Sequence, residues 1–272
     1  MTDQHLNTKL FRSMHTGEGP LVLVNAWDVA SARIAEAAGA PAIATTSAGV
    51  AWSLGAPDGD ALGRDLAVDL IARIVAAVSV PVTADIESGF GVTPEEVRAT
   101  VSRVVAAGAA GVNIEDALHT GPASLRDVDD QCARLAAARA AADDAGLPLY
   151  INARIDTFLR GVGGVDETVA RATAFLAAGA DGVFVPGVSD PATIATLVKA
   201  VSAPVNVLAG PGAPSVAELA ELGVARVSLG SSVAESAYAV VRRATEEAQG
   251  AGTYTTLTDA LDYASLNALM RH

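Results

Sequence analysis

One unit recurs along the chain in the segments EAAGAPAIATTS (36–47), VAAGAAGVNIED (105–116), LAAGADGVFVPG (176–187) and AELGVARVSLGS (220–231). Each has an alanine-rich helical end, a glycine stop and a short apolar run. Glycine just past a helix supplies the left-handed C-cap, and the run after it reads as a strand buried on both faces. Extended over the chain, this reading predicts strands near 21–25, 41–45, 81–85, 111–115, 148–153, 181–185, 204–208 and 225–229. Helices are predicted near 28–38, 64–78, 94–107, 125–145, 166–178, 191–201, 215–222 and 232–249. Thr93-Pro94-Glu95-Glu96, Ser215 with Glu218, and Ser232 with Glu235 are start signals for three of them.

Strict alternation of strand and helix argues for a parallel α/β fold, and eight rounds of it favour a closed (β/α)8 barrel of TIM type over an open doubly wound sheet. The length of 272 residues suits one such barrel. Residues 1–250 are expected to form the barrel and 251–272 a tail of extra C-terminal helices, with an apolar face that could pack on its own barrel or on a neighbouring subunit. Residues 46–63, a long Gly-rich connection after the second strand, are expected to be functional, as long loops in compact domains often are.

Composition narrows the partners. A formal charge of -13, with no basic run, disfavours nucleic acid and anionic membrane surfaces. The apolar runs are too short to span a bilayer, and the N-terminal MTDQHLNTKLFRSMH lacks the apolar centre of a signal peptide. A cytoplasmic enzyme is expected. The single Cys132 excludes an intramolecular disulfide and a multi-cysteine metal site, and it reads as a buried helical thiol. An anionic substrate would need local positive charge against this acidic background, from an arginine or a bound cation.

Barrel enzymes carry their chemistry at the C-terminal ends of the strands, and here those ends are acidic. In VTADIESGFG (82–91) the third strand runs into Asp85 and Glu87, the fourth ends in Glu115 and Asp116, and Asp58 lies in the long loop. Any one of these carboxylates also reads as an N-cap or a surface charge. Gathered at one mouth they would repel one another unless protonated or shared with a cation. Oxygen ligands without nearby His or Cys suit Mg2+, with Mn2+ as the alternative. Asp85, Glu87, Asp58 and Glu115 are therefore the candidate metal residues. Arg154, the only arginine at a predicted strand end on this face, can hold a carboxylate or phosphonate, or can pair with Glu115 or Asp156. Thr46, Ser47 and Ala48 offer hydroxyls and amides to an anion, although a short polar turn would look the same. Asn206, ending its strand, is a further substrate-binding candidate.

The stretches NAWDVASARIAEAAG, TTSAGVAWSLGAPD, ADIESGFG, GVNIEDA and INARIDTF together resemble the isocitrate lyase/phosphoenolpyruvate mutase superfamily over nearly the whole chain. The resemblance implies a barrel that binds a small anionic 2-oxo acid or its enolate through Mg2+. It implies Asp85 as the direct metal ligand, with Glu87, Asp58 and Glu115 acting largely through waters. Thr46, Ser47 and Ala48 would hold the substrate carboxylate, and Arg154 a substrate anion. It also implies a homo-oligomer, tetramer or dimer, with C-terminal helices exchanged between subunits.

This sequence departs from the family pattern where the reaction is decided. Carbon-carbon lyases of the family carry a catalytic cysteine in a Lys-Arg-Cys-Gly-His type segment soon after the fourth-strand Glu-Asp, whereas this chain reads EDALHTGPASLRD (115–127). Cys132 lies beyond it in a predicted helix. The longer gating loop of the phosphonate-cleaving members is missing, Pro186 replaces a mutase histidine, and Glu87 replaces the more usual aspartate. His119 is the candidate acid/base in the shortened loop, because its ordinary pKa suits proton transfer, although a lone loop histidine also reads as solvated. The expected activity is that of a Mg2+-dependent lyase or decarboxylase on a small 2-oxo or 2-hydroxy (di)carboxylate. Carbon-phosphorus cleavage of a phosphonopyruvate-like substrate and binding of a 2-oxo acid without turnover are the alternatives.

Overall fold

The computed structural model describes residues 3–121 and 124–271. Nine strands run in the order β1 (Leu21–Leu23), β2 (Asn25–Ala26), β3 (Ile43–Thr45), β4 (Val82–Asp85), β5 (Gly111–Glu115), β6 (Tyr150–Arg154), β7 (Gly182–Val185), β8 (Val205–Leu208) and β9 (Arg226–Ser228). All pair in parallel, in the sheet order β1-β9-β8-β7-β6-β5-β4-β3-β2. The sheet is a nearly closed TIM-type barrel of eight staves, because β1 and β2 are two halves of the first predicted strand, interrupted at Val24. One half pairs with β9 and the other with β3. Asn25 bridges the break: its Oδ1 accepts from Leu229 N (3.1 Å) and Gly230 N (2.9 Å), while its Nδ2 donates to Thr45 O (3.0 Å).

The helices that follow the strands are α2 (Val29–Ala37), α4 (Arg64–Ala77), α5 (Pro94–Ala106), α6 (Val128–Asp144), α8 (Gly164–Ala177), α9 (Pro191–Ala200), α10 (Val216–Glu221) and α11 (Ser232–Gly250). Four more stand outside the repeat: α1 (Asp3–Ser13), α3 (Ser47–Ser53), α7 (Thr157–Arg160) and α12 (Tyr263–Leu269). Two expected boundaries move and one cap partner changes. Helix α3 occupies part of the predicted 46–63 loop, with Thr46 at its N-cap. Helix α6 starts later than expected because Asp127 caps it, accepting from Asp129 N at 2.9 Å, and because Leu125 instead bridges to Ala117. Helix α11 begins at Ser232 with Ser231 as its cap residue, and it is Ser231 Oγ that bonds Glu235 (2.6 Å). The expected boxes at Thr93/Glu96 and Ser215/Glu218 both form.

The strands are apolar on both faces at most positions, yet their alternation sets the site. Ala84, Val112, Ile114, Ile151, Ala153, Val183 and Val227 belong to the main core cluster, in which helix residues such as Val97, Val101, Leu135 and Phe175 also lie. Because successive side chains on a strand point to opposite faces, the alternate positions turn into the barrel. These are Thr83 and Asp85, Asn113 and Glu115, Asn152 and Arg154, Asn206, and Arg226 and Ser228. Asn152 Nδ2 donates to Asn113 Oδ1 (3.0 Å), and Arg226 Nη2 reaches the same oxygen at 3.4 Å. Tyr150 is buried too, and a Cβ on Gly182 would lie 2.1 Å from its hydroxyl, so that position has room only for glycine. The opposite end of the barrel is covered by α1, whose Phe11 is fully buried with Leu21, Leu23 and Tyr150.

Of the tail, the structure describes residues 251–271. A short 3-10 turn (Thr255–Leu257) follows α11, and α12 packs near α2, where Arg33 Nη1 donates to Leu269 O at 2.7 Å. Leu257, Leu261, Tyr254 and Tyr263 remain exposed. No helix among the described residues is long and apolar enough to cross a membrane.

Candidate active site

A cavity of about 240 Å³ opens at the C-terminal mouth of the barrel, lined by Thr46, Ser47, Ala48, Asp58, Asp85 and Arg154 among others. Six of the predicted site residues thus meet in one place. Asn113, Ser228 and Ser231 also line it, and Phe184 and Pro186 form an apolar side. Asn206 does not reach the cavity wall. Its amide instead donates to Ser228 Oγ at 3.2 Å in the barrel interior, one layer below.

Asp85 stands at the end of β4, its amide donating to Thr45 Oγ1 (2.8 Å) and its Oδ1 accepting from Glu87 N (3.1 Å). Burial pushes its carboxyl up to about 7; Arg154 opposes this, while Glu115 and Asp58 add to it. Glu87 lies two residues on, in a left-handed backbone (φ 51°), and is buried. Burial pushes Glu87 to about 8, with Asp58, Asp60 and Asp85 contributing against a hydrogen bond from the Asp60 amide. Burial is the larger cause at both acids, and the neighbouring carboxylates add to it.

Arg154 supplies counter-charge to Asp85. Its Nε and Nη2 donate to the two oxygens of Asp156 (2.7 and 2.9 Å), and its Nη1 lies 2.6 Å from Glu115 Oε2. Burial opposes its charge, but Glu115, Asp156 and Asp85 hold it firmly protonated. Both predicted partners of Arg154 therefore engage it at once. Asp156 is itself fixed by Asp116, whose Oδ1 accepts from the Asp156 amide (2.9 Å) and whose Oδ2 meets Arg171 Nη1 at 3.1 Å. Burial raises Asp116 to about 6.

His119 faces the other oxygen of Glu115, with Nε2 to Oε1 at 2.6 Å, and its Nδ1 lies 3.3 Å from Arg160 Nη2. The bond to Glu115 raises the imidazole pKa, partly offset by burial and by Arg160. A Cβ on Gly59 would come within 2.8 Å of the His119 ring, and Gly59 has φ +97°, so a glycine in the long loop makes room for the histidine. Sequence reasoning missed Asp60 and Arg160 as members of this group. Arg160 sits one short helix beyond Arg154, and only the three-dimensional turn of α7 brings it back.

Among the described residues no three His, Cys, Asp or Glu side chains converge to hold a metal unaided. Asp85 and Asp58 face the cavity, whereas Glu87 turns toward Asp60 and Glu115 is engaged by Arg154 and His119. That donor set still fits Mg2+, which takes one or two carboxylates directly and keeps several waters. The oxygen-only donors Asp85 and Asp58 on the cavity wall are the observation that supports the fit, and a cation there would offset the burial that disfavours the charged form of Asp85. Cys132, the single thiol, is half-buried in α6 and raised by burial, away from this cavity's lining.

The sequence profile of phosphoenolpyruvate phosphomutase matches residues 11–249. An uncharacterised protein, Rv1998c, of Mycobacterium tuberculosis (strain ATCC 25618 / H37Rv) is 41% identical over 223 residues, 81% of each chain. The 2-methylisocitrate lyase of Escherichia coli (strain K12) is 33% identical over 208 residues, 74% of this chain and 69% of that one. The oxaloacetate decarboxylase of Paraburkholderia xenovorans (strain LB400) is 32% identical over 203 residues, 72% of this chain and 66% of its own. Among solved structures, a Burkholderia cenocepacia J2315 protein assigned only provisionally as a lyase/mutase superposes with a TM-score of 0.94 at 40% identity, covering 99% of this chain and 97% of that one. A phosphonopyruvate hydrolase in complex with oxalate and Mg2+ superposes at 0.85 with 25% identity, covering 97% and 94%. The chain belongs to the phosphoenolpyruvate phosphomutase family and, with these lyase, decarboxylase and hydrolase relatives, to the isocitrate lyase/PEP mutase superfamily of barrel enzymes.

Proposed function

We propose that the protein is a Mg2+-dependent carbon-carbon lyase or decarboxylase acting on a small 2-oxo or 2-hydroxy dicarboxylate by way of an enolate. The observation that carries this reading is the placement of Arg154 beside Asp85 and Asp58 in one small cavity, a fixed cation facing an acidic cluster that a divalent ion would complete. Mg2+, when bound, would polarise the substrate's 2-oxygen and stabilise the developing negative charge.

The chain's own residues would do the rest. Thr46, Ser47 and Ala48 would hold one carboxylate at the start of α3. Arg154, locked by Asp156 and Glu115, would orient the second anion with little freedom left to lose on binding. His119, held by Glu115 just outside the cavity lining, would be the source of the proton that the enolate carbon takes up after the bond breaks, once the loop brings its ring to the cavity. Phe184 and Pro186 would keep water from that carbon. Loss of CO2 requires no base at a distant hydroxyl, so the missing lyase cysteine disfavours decarboxylation least. The relatives that carry the names 2-methylisocitrate lyase and oxaloacetate decarboxylase support the reaction class.

Turnover of oxaloacetate, 2-methylisocitrate, isocitrate and phosphonopyruvate, each with and without Mg2+, tests the proposal. Mg2+-dependent release of pyruvate from oxaloacetate or 2-methylisocitrate, or of glyoxylate from isocitrate, supports it. Phosphate release from phosphonopyruvate alone would replace it with carbon-phosphorus cleavage, and tight binding of a 2-oxo acid without product would reduce the protein to a binder. We also propose a homo-oligomer in which the exposed apolar tail after α11 meets a neighbouring subunit, which sedimentation of the purified chain tests.

A further inference from the structure

A second cavity, of about 520 Å³, lies behind the turn that carries Glu87 and is lined by residues of four separate segments. Three of them are arginines: Arg64 at the first position of α4, Arg126 in the loop before α6, and Arg134 within α6. Their side chains are 35%, 13% and 1% exposed, so this is not an open basic surface. In each of the three the Nε is buried and has no hydrogen-bond partner. Those Nε atoms are shut off from the cavity itself, and what lines it is the rest of each guanidinium; among the described residues Arg64 makes no side-chain hydrogen bond and Arg126 only the one from Nη1 to Asp130, so these two cations keep donors that acceptor oxygens in the cavity could take.

The acids nearby do not fill that need. Asp60 accepts from the amide and hydroxyl of Ser88. Glu96 Oε2 accepts from Val92 N (2.6 Å) and Thr93 N (3.0 Å) as a helix cap. Asp130 bonds Arg126 Nη1 at 2.9 Å and lies 3.5 Å from Arg134 Nε, without a hydrogen bond to it. Asp65, 3.8 Å from Arg64 Nε, is engaged by Arg103. The N-terminus of α4 adds its own partial positive charge, since its cap residue Gly63 lines the cavity and offers no side chain to the first amides. Leu62 and Leu118 supply apolar walls.

We propose that this cavity is a second anion site, distinct from the catalytic pocket, that takes a small oxyanion, carboxylate or phosphate, between Arg64 and Arg126 against Arg134. The site touches the catalytic apparatus from behind. Arg134 donates to the carbonyls of Ser88 (3.2 Å), Gly91 (2.9 Å) and Val92 (2.5 Å), and so holds the turn that carries Glu87. An occupant would tie the loop of Arg126 and the start of α4 to that turn.

Titration of the full chain with inorganic phosphate and, separately, propionate, in EDTA so that no metal enters the catalytic pocket, tests the proposal by calorimetry. The expected result is saturable one-to-one binding of at least one probe, weakened about tenfold in Arg64→Ala and in Arg126→Gln by loss of one charge-assisted bond, and unchanged in Arg154→Lys. The stronger probe identifies the anion as phosphate or carboxylate. Absence of saturable binding by both, or affinity lost in Arg154→Lys and kept in Arg64→Ala, would overturn it. Because the metal is withheld, failure here leaves the catalytic reading standing, and failure of that reading leaves this site standing.

Discussion

Asp60 and Glu87 hold each other across two loops, each in a left-handed backbone. The amide of Asp60 donates to Glu87 Oε2, the carboxylate of Asp60 accepts from the amide and hydroxyl of Ser88, and the two residues have φ of 60° and 51°. With Phe90 (φ 49°), they are the non-glycine residues with positive φ among the described residues. Such conformations cost roughly 1–3 kcal/mol each, and they persist here because the two loops clasp each other. The long loop is thus the second half of the turn that carries Glu87. Replacing Glu87 by Gln keeps an acceptor for the Asp60 amide and removes the charge. Mg2+ affinity, measured calorimetrically, should fall about tenfold with little change in Tm. Asp60→Ala should instead lower stability by about 1–3 kcal/mol in denaturant titration, because Ser88 loses its acceptor.

Arg154→Lys tests the anion clamp. A lysine can satisfy one of Glu115 and Asp156 but cannot bridge both while facing the cavity. Steady-state kinetics should show kcat/KM reduced by about 100-fold or more, with much of the loss in KM. Arg154→Ala is the less informative variant, since it leaves two buried carboxylates without their cation.

His119→Gln should lower the rate by about 100-fold and change the pH profile in a set direction. As a proton donor with its pKa raised by Glu115, His119 makes activity fall as pH rises through that pKa. In the variant this alkaline limb should disappear while substrate binding persists. A lower rate with an unshifted limb would make the loop histidine merely structural.

Acid stability should depend on His15, far from the site. It stacks on Tyr150 with ring centroids 3.8 Å apart, and burial together with Arg226 lowers its pKa to about 3. The folded state therefore resists the proton that the unfolded chain takes up near pH 6.5. Its contribution is present above about 6.5 and is lost as pH falls toward about 3, by up to about 1.4 kcal/mol per pH unit. Denaturant titrations between these limits should show the slope, and His15→Asn should flatten it.

Much of this was legible in the chain. The helix, glycine and strand unit places the eight staves to within a few residues, because buried parallel strands bounded by C-cap glycines leave little ambiguity. The strand-end rule then brings Asp85, Glu115 and Arg154 to one mouth, since each occupies an inward position of its strand. What escaped has physical causes. The break of the first stave at Val24 depends on which neighbour each half pairs with, a long-range choice. Helix α3 follows a threonine cap, inside a glycine-rich stretch that reads as loop by composition. Asn206 reads as the end of its strand in the sequence, but β8 runs on to Leu208, so Asn206 lies within the strand and bonds Ser228 instead of lining the cavity. Asp60 carried no signal of its own; only the fold brings it to Glu87.

The central claim is that Asp85, Glu87 and Asp58 await a divalent cation. Because Asp85 and Glu87 are raised to about 7 and about 8, they favour protonation in the metal-free protein, whose stability declines as pH rises through those values. Mg2+ must displace the protons, so its effect should grow with pH. Calorimetric titration of Mg2+ in the presence of oxalate, at about pH 5.5 and about pH 8, is the direct measurement. The account predicts one-to-one binding, tighter at the higher pH, with protons released at neutral pH and binding abolished in Asp85→Asn. No Mg2+ binding at either pH, or equal binding in Asp85→Asn, would contradict it.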